Sequence, residues 1–292
     1  MDIRVLKYFV TVVEEENILK ASQVLHITQP TLSRQLMDLE KELNCKLFIR
    51  SNRKITLTSE GLFLYNKAKE IILLQAKTIN VLKNSHEIIS GDIYIGCAET
   101  NAFKFLVKTM TKIKKTHKDI HYHIFSGNAD TVIEQLDKGI LDFGLLIDAH
   151  DKQKYNFITL PVKDIWGLLM LKNSPLADKE YITSSDILNI PLICSGQTMV
   201  SNKIAGWLNQ NFTQLNIVAN YNLIYNASIM VQENLGSALC LANLVNGTNL
   251  CFKPLYPPLE AQIDLVWKKH QILTKPAQLF LQNLQEYLLQ NK

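Results

Sequence analysis

The 292-residue sequence contains no run of about 18 uninterrupted apolar residues, so a membrane-spanning helix is not expected. It has no Gly-x-Ser-x-Gly, no phosphate-cradling Gly-x-x-x-x-Gly-Lys and no Gly-x-Gly-x-x-Gly, which removes the signatures of serine hydrolases, P-loop nucleotide hydrolases and dinucleotide enzymes. Cysteine is sparse and odd in number: Cys45, Cys97, Cys194, Cys240 and Cys251 are widely spaced, with no Cys-x-x-Cys. A disulfide framework or structural zinc site is therefore not expected. A peroxide switch through Cys240 and Cys251 is conceivable, but buried free thiols acting as filler are the simpler reading. The amino terminus, Met1-Asp2-Ile3-Arg4, lacks the basic start, apolar middle and small-residue cleavage site of a secretory signal, and a cytoplasmic location is expected. An excess of one charge is also missing, since 31 Lys and Arg face 27 Asp and Glu. A net charge of +4 does not by itself announce a nucleic-acid binder.

What is present begins with a patterned amino-terminal stretch. Length suits two domains, one small and one of roughly 200 residues. Within residues 20–58 the sequence reads as two short helices, a turn and a basic hairpin, the outline of a winged helix-turn-helix. A first helix over 3–15 places Leu6, Phe9, Val10 and Val13 on one face. Asn17 is positioned to cap a second helix, from which Ala21, Val24 and Leu25 pack inward. Thr28 or Gln29 caps a third, with Pro30 in the first turn, where a missing amide costs nothing. Leu32, Leu36, Leu39 and Leu43 recur at helical spacing and form a buried stripe. At 100° per residue, Pro30, Thr31, Arg34 and Lys41 point away from it. Such a helix can lie in a major groove and offer its first turn to base edges. Residues 47–50 and 55–58 alternate around a polar tip and read as a hairpin. Residues 1–60 hold nine basic against eight acidic side chains, but 45–58 hold Lys46, Arg50, Arg53 and Lys54 with no acid. Positive charge is concentrated where a wing would meet phosphate.

No proline interrupts residues 59–89, so one long helix is predicted there. Tyr65, Ile72 and Ile79 are seven apart, as are Ala68, Gln75 and Leu82, interleaving as the core positions of a heptad repeat. A helix this long is marginal alone in water, and a paired second copy resolves that; packing on the chain's own next domain is the alternative. Ser90-Gly91-Asp92 marks a linker. Beyond it, strand-like runs (93–97, 120–125, 143–147, 168–171) alternate with helical ones (102–115, 129–138), which predicts an α/β domain with mainly parallel strands. It divides into two lobes, about 91–160 and 161–264, with 265–292 returning to the first. In open α/β sheets, ligands collect beyond the carboxyl ends of strands and at helix amino termini. Three segments occupy such places: Ala98-Glu99-Thr100-Asn101, Ser126-Gly127-Asn128 and Ser195-Gly196-Gln197-Thr198.

The order Leu25, His26, Ile27, Thr28, Gln29, Pro30, Thr31, Leu32, Ser33, Arg34, then Leu39-Glu40, Leu47-Phe48-x-Arg50, Arg53, Leu57-Thr58 and Gly61 resembles the DNA-binding region of the LysR-type transcriptional regulators. The resemblance runs the whole length, for Gly139-x-Leu141-Asp142-Phe143-Gly144 and Leu235-Gly236-x-Ala238 look like stretches of that family's effector-binding domain. Asn17, Leu19 and Ala21-Ser22 depart from its serine, threonine and paired alanines. The resemblance implies an α/β chain with three parts: a winged helix-turn-helix (1–58), a linker and dimerisation helix (59–89), and a periplasmic-binding-protein-like domain of two α/β lobes (90–292). Gln29, Thr31, Ser33 and Arg34, with Pro30 setting the approach, are the expected base readers. Arg50, Arg53 and Lys54 are expected on phosphate or in the minor groove. A solvated Arg34 bonded to Asp38 is the bland alternative.

The resemblance also puts Glu99, Thr100, Asn101, Ser126, Asn128, Ser195, Gln197 and Thr198 in a cleft between the lobes, with Asn222, Tyr225 and Asn226 on its opposite wall. Glu99 disfavours a purely anionic effector, so a zwitterionic or hydroxyl-rich one is expected, unless Glu99, Thr100 and Asn101 only cap the next helix. The implied partners are double-stranded operator DNA, a small-molecule effector, a second copy through Tyr65, Ala68, Ile72, Ile79 and Leu82 with dimers pairing into tetramers, and RNA polymerase. No cofactor and no membrane contact is expected. His117, His121 and His123 raise metal chemistry as an enzymatic alternative, but Asp119 is the one nearby acid and Ile120 and Ile124 fit a half-buried strand with solvent-facing histidines. A solute-binding protein and a purely architectural DNA protein are further alternatives.

Overall fold

The computed structural model describes residues 1–50, 55–83, 89–148, 153–208 and 215–290. The chain forms two compact units, Met1–Ser85 and His86–Lys292. In the first, α1 (Ile3–Glu15) starts where the Asp2 carboxylate accepts from the Arg4 amide at 2.8 Å and stops at Glu16, which is left-handed at φ 50. Leu6, Phe9, Val10 and Val12 are its buried residues, so Val12 takes the place expected for Val13. The helix packs on three other helices, which widens the buried arc beyond one stripe. α2 (Ile18–Val24) is capped by Asn17, whose Oδ1 accepts from the amides of Leu19 and Lys20. Ala21 and Ser22 face inward, and Val24 is 56% exposed, contrary to expectation. An arc centred between positions 21 and 22 leaves position 24 roughly 110° away. Buried Ser22 is satisfied by donating to the Leu19 carbonyl at 2.8 Å, so the departure at Ala21-Ser22 is accommodated.

α3 (Gln29–Glu42) takes Thr28, not Gln29, as its cap. Leu32, Leu36 and Leu39 are buried, but Leu43 lies past the last helical turn and is 37% exposed. The chain leaves helical geometry at Asn44, φ 50, which turns it into β1 (Phe48–Arg50). β1 pairs antiparallel with β2 (Ile55–Leu57), Phe48 opposite Leu57, and the Phe48 ring lies 5.3 Å from that of Phe9. α4 (Ser59–Lys83) follows. Thr58 joins wing to helix: its hydroxyl donates to the Lys46 carbonyl at 2.7 Å and accepts from the Gly61 amide at 2.9 Å. A Cβ on Gly61 would sit 2.1 Å from the Leu47 carbonyl oxygen, so only glycine lets this turn approach the wing.

The second unit is built on a nine-stranded sheet with order β4-β3-β5-β11-β6-β9-β7-β8, and β10 also on β6. In chain order its elements are β3 (Gly91–Cys97), α5 (Phe103–Lys114), β4 (Ile120–Ser126), α6 (Ala129–Asp137), β5 (Phe143–Ile147), β6 (Tyr155–Leu171), α7 (Ser184–Ile187), β7 (Leu192–Ser195), α8 (Thr198–Leu208), β8 (Ile217–Tyr221), α9 (Ile224–Gln232), β9 (Ser237–Leu241), β10 (Leu250–Pro254), β11 (Glu260–Lys268) and α10 (Lys275–Gln290). The sheet is mixed instead of mainly parallel. β3 with β4 and β5, and β7 with β8 and β9, are parallel, whereas every pairing of β6 and β11 is antiparallel. The run expected as a short strand over 168–171 is the end of the 17-residue β6.

β6 and β11 join two cores. Leu160, Ile263 and Leu265 belong to one with Ile95, Phe143 and Phe280. Trp166 and Ala261 belong to the other with Leu192, Ile204 and Leu239. Between them the register shifts at Gln262/Asp264, where the buried Asp264 carboxylate accepts from Thr159 Oγ1 at 2.6 Å. A polar kink thus separates two apolar lobes strung on the same pair of strands. Gly139, at φ 72, ends α6 in the left-handed conformation and sends the chain into β5, and buried Asp142 accepts from the Tyr94 amide at 2.8 Å. The stretch Gly139 to Gly144 is therefore a helix stop and a strand anchor.

Candidate functional site

In the first unit, the outward side of α3 carries Gln29, Pro30, Thr31 and Arg34, all exposed, with Ser33 half-buried beside them. Thr28 positions this turn, its Oγ1 lying 2.8 Å from Thr31 Oγ1 and accepting from the Thr31 amide. Arg34 forms no ion pair among the described residues, and Asp38 instead lies 3.9 Å from Lys41. The guanidinium is thus free for an acceptor outside the unit. Arg53 and Lys54 lie outside the described residues, as does the side chain of Arg50. Lys46 is not simply a free wing charge, because its ammonium stands 3.2 Å from Glu40.

Glu40 is the hidden organiser of this surface. It is 4% exposed, and its Oε1 accepts from the amides of Leu47 at 2.8 Å and Phe48 at 3.4 Å. Burial pushes its pKa up, but the amides of Leu47 and Phe48 and the Lys46 ammonium outweigh that and hold it below the ordinary carboxylate value. The reading helix and the root of the wing are therefore pinned through one carboxylate. The heptad positions divide unequally. Ala68 is fully buried, and Tyr65 and Ile72 are half-buried against the same core. Ile79 and Leu82 remain exposed, at 37% and 77%.

The second unit contains a cavity of about 480 Å³ between its lobes. Of the residues expected there, Glu99, Asn128, Ser195 and Gln197 line it, with Asn222. Gln197 spans the mouth, accepting from the Ala129 amide and donating to Ser195 Oγ, both at 3.3 Å. Asn128 also caps α6 by accepting from the Thr131 amide at 2.9 Å. Thr100 does not line the cavity: it is buried, donating to Asp164 on β6 and accepting from the Ala102 amide. Asn101 instead donates to the Ala242 carbonyl at 3.0 Å, and Ser126 lies exposed at the end of β4. Tyr225 and Asn226 point outward, because Ile224, Ala227, Ser228 and Val231 form the inner side of α9. Residues Tyr221, Asn222 and Ile224 make that wall. The side chain of Thr198 lies outside the described residues.

Sequence reasoning missed Asp148, Lys203, Asn202 and Trp166. Asp148, left-handed at φ 51, follows the carboxyl end of β5, so the rule that found Glu99 after β3 would have found it too. Lys203 comes from α8, and its ammonium donates to the Asp148 carboxylate and the Glu260 carbonyl. Glu99 crosses the cleft as well: its Oε2 accepts from the Ile224 amide, capping α9, which has no side-chain cap of its own. Two carboxylates of one lobe thus grip the other.

Cys97, Cys194 and Cys240 are buried, and burial pushes each thiol up to about 12, far from the reactive thiolate. Among the described residues no group of three or more His, Cys, Asp or Glu is placed to hold a metal. His123 Nε2 lies 2.7 Å from Asp92 Oδ1 with its ring stacked on Tyr94. Ile124 is 43% exposed, because the outer half of edge strand β4 faces solvent, not the expected half-buried pattern. No described helix is long and apolar enough to cross a membrane.

Comparison with known proteins gives concordant matches to both units. A family model described as bacterial regulatory helix-turn-helix protein, lysR family, matches residues 3–62, and one described as LysR substrate binding domain matches 86–289. The HTH-type transcriptional regulator CysL of Bacillus subtilis is 30% identical over 185 residues, 63% of this chain and 62% of CysL. The hydrogen peroxide-inducible genes activator of Pectobacterium carotovorum is 30% identical over 195 residues, 66% of this chain and 64% of the relative. The matched part spans less than two thirds of either relative's length. Among solved structures, full-length CbnR complexed with its target DNA has a TM-score of 0.71 at 17% identity, covering all of both chains, a likeness of fold.

Proposed function

The chain belongs to the LysR family of bacterial helix-turn-helix regulators, and from that membership we propose that it is a sequence-specific DNA-binding transcription regulator controlled by a small molecule held between the lobes of its second unit. The observation that carries the reading is the start of α3, where Gln29, Thr31 and Arg34, exposed and able to read base edges, stand with half-buried Ser33 over buried Leu32, Leu36 and Leu39. In this reading residues 1–58 are the reading head, 59–89 the linker and dimerisation helix, and 90–292 the effector-binding domain. Gln29, Thr31, Ser33 and Arg34 read bases, and Arg50, Arg53 and Lys54 hold phosphate. The protein acts in the cytoplasm as a homodimer, with pairs of dimers and RNA polymerase as further partners. It carries out no catalysis; the names of its relatives as regulators support this. Glu99, Asn128, Ser195 and Gln197 meet the effector, joined by Asn222 and Trp166, which share the cavity.

Arg34→Ala should relax preference at one base pair at a cost of about 1–3 kcal/mol, whereas Arg53→Ala should weaken all sequences alike and lower the salt slope by about one. Titrations of operator and random duplex at several salt concentrations separate the two. Identical behaviour of the variants would overturn the division between readers and phosphate holders. Loss of all preference for any duplex by the parent chain would overturn the function itself.

A further inference from the structure

The cleft's charges and its aromatic and apolar lining point to a ligand class. Among the described residues, Glu99, Asp148 and Lys203 are the charged ones in its lining, so two carboxylates meet one ammonium there. The ammonium is already engaged by Asp148 and the Glu260 carbonyl, and Asp148 accepts in addition from the Gln262 amide at 3.0 Å. The amino end of α9, the place an anionic ligand would seek, is filled by Glu99 Oε2. An incoming carboxylate would thus meet a resident carboxylate and, among the described residues, no free cation. Glu99 Oε1, by contrast, has no hydrogen-bond partner among the described residues. A second and independent feature is Trp166, a 3%-exposed aromatic residue that lines the same cavity. Ile147, Ile224, Leu241 and Leu244 complete the lining with apolar surface.

Resting on the reading of this cleft as the effector site, we propose that it takes a small organic amine. The protonated nitrogen donates to Glu99 Oε1, and an apolar body lies against the Trp166 ring and the four aliphatic side chains. A cavity of about 480 Å³ accommodates a metabolite of that description.

The test uses the full chain and two matched probe sets, built on phenylalanine and on leucine. Each comprises the amino-acid amide (a cation with a carbonyl), the free amino acid, the N-acetyl amide (neutral) and the N-acetyl acid (an anion). Calorimetry should place the cationic amide tightest within a set and the N-acetyl acid weakest. Glu99→Gln keeps the α9 cap through its amide oxygen but removes the charge. It should cost the cationic amide on the order of tenfold to a hundredfold, as for a hydrogen bond to a charged group, and leave the neutral probe unchanged. Trp166→Phe should weaken every probe that binds. Tightest binding by the anion, an order unmoved by Glu99→Gln, or no binding by either cationic amide at millimolar concentration would overturn the proposal. Anion binding that Trp166→Phe weakens would sink the ligand class alone and keep the cleft as the effector site. Binding that Trp166→Phe leaves unaffected throughout, with operator affinity indifferent to every probe, would sink the effector reading with it.

Discussion

Glu40 shows how much of a DNA-reading surface can depend on a residue that touches no DNA. Its carboxylate satisfies two amides at the start of the wing from within the reading helix. Glu40→Ala orphans both, at about 1–3 kcal/mol each, and denaturant unfolding of the amino-terminal unit should register the loss. The pH dependence follows from the lowered folded value. Its stabilisation is complete above the unfolded value near 4.5 and is lost as pH falls through the lower folded value. Glu40→Gln should flatten that acid limb of the stability profile, and an unchanged limb would show that other carboxylates govern it. Glu40 stood in the recognised motif as part of Leu39-Glu40, but its purpose was not legible. A glutamate at that helical position reads as a solvated charge until the wing folds back and supplies the donors.

At the scale of elements, α4 is where pattern and packing diverge. The heptad over 65–82 is real in sequence, but a heptad specifies only that one face is apolar, not what covers it. Ala68, with Tyr65 and Ile72 at its sides, is covered by the chain's own amino-terminal core. Ile79 and Leu82 are left uncovered in the monomer and are the positions to test for self-association. Ile79→Glu with Leu82→Glu should shift the chain toward monomer in light scattering. Losing two buried aliphatic side chains at roughly 1.5–3 kcal/mol each raises the dimer dissociation constant by about a hundredfold or more. Ile72→Glu should instead lower the unfolding midpoint. An unchanged mass for the double variant would place the dimer contact elsewhere. α9 teaches the complementary lesson: Tyr225 and Asn226 were expected on the cleft wall with Asn222, but the helix turns them outward.

For the whole molecule, the cores among the described residues keep to their own units. The cluster around Phe9 and Leu36 draws on no residue beyond Ile72, and those around Phe143 and Leu239 begin at Ile89. The two units should therefore unfold in two transitions, and Gly61→Ala should lower only the one belonging to the amino-terminal unit, by about 1–3 kcal/mol for the forced clash. Differential scanning calorimetry with tryptophan fluorescence resolves this, since Trp166, Trp207 and Trp267 all report on the second unit. A single transition lowered as a whole by Gly61→Ala would show the units to be coupled.

The amino-acid sequence by itself determined the helices and hairpin of the amino-terminal unit, Leu32, Leu36 and Leu39 under the reading helix, the Asn17 cap, and the strand ends from which Glu99, Asn128, Ser195 and Gln197 reach a cleft. These follow from local rules of period, capping and turn chemistry that act over a few residues. Only the tertiary structure decided that β6 and β11 cross between lobes, that Asp148 meets Lys203 fifty-five residues away, that Thr100 turns into the protein, and that Glu99 caps a helix 125 residues distant. Each depends on long-range pairing of polar groups, and such pairs leave no periodic trace in the chain because a buried charge is set by the partner it finds, not by its neighbours in sequence.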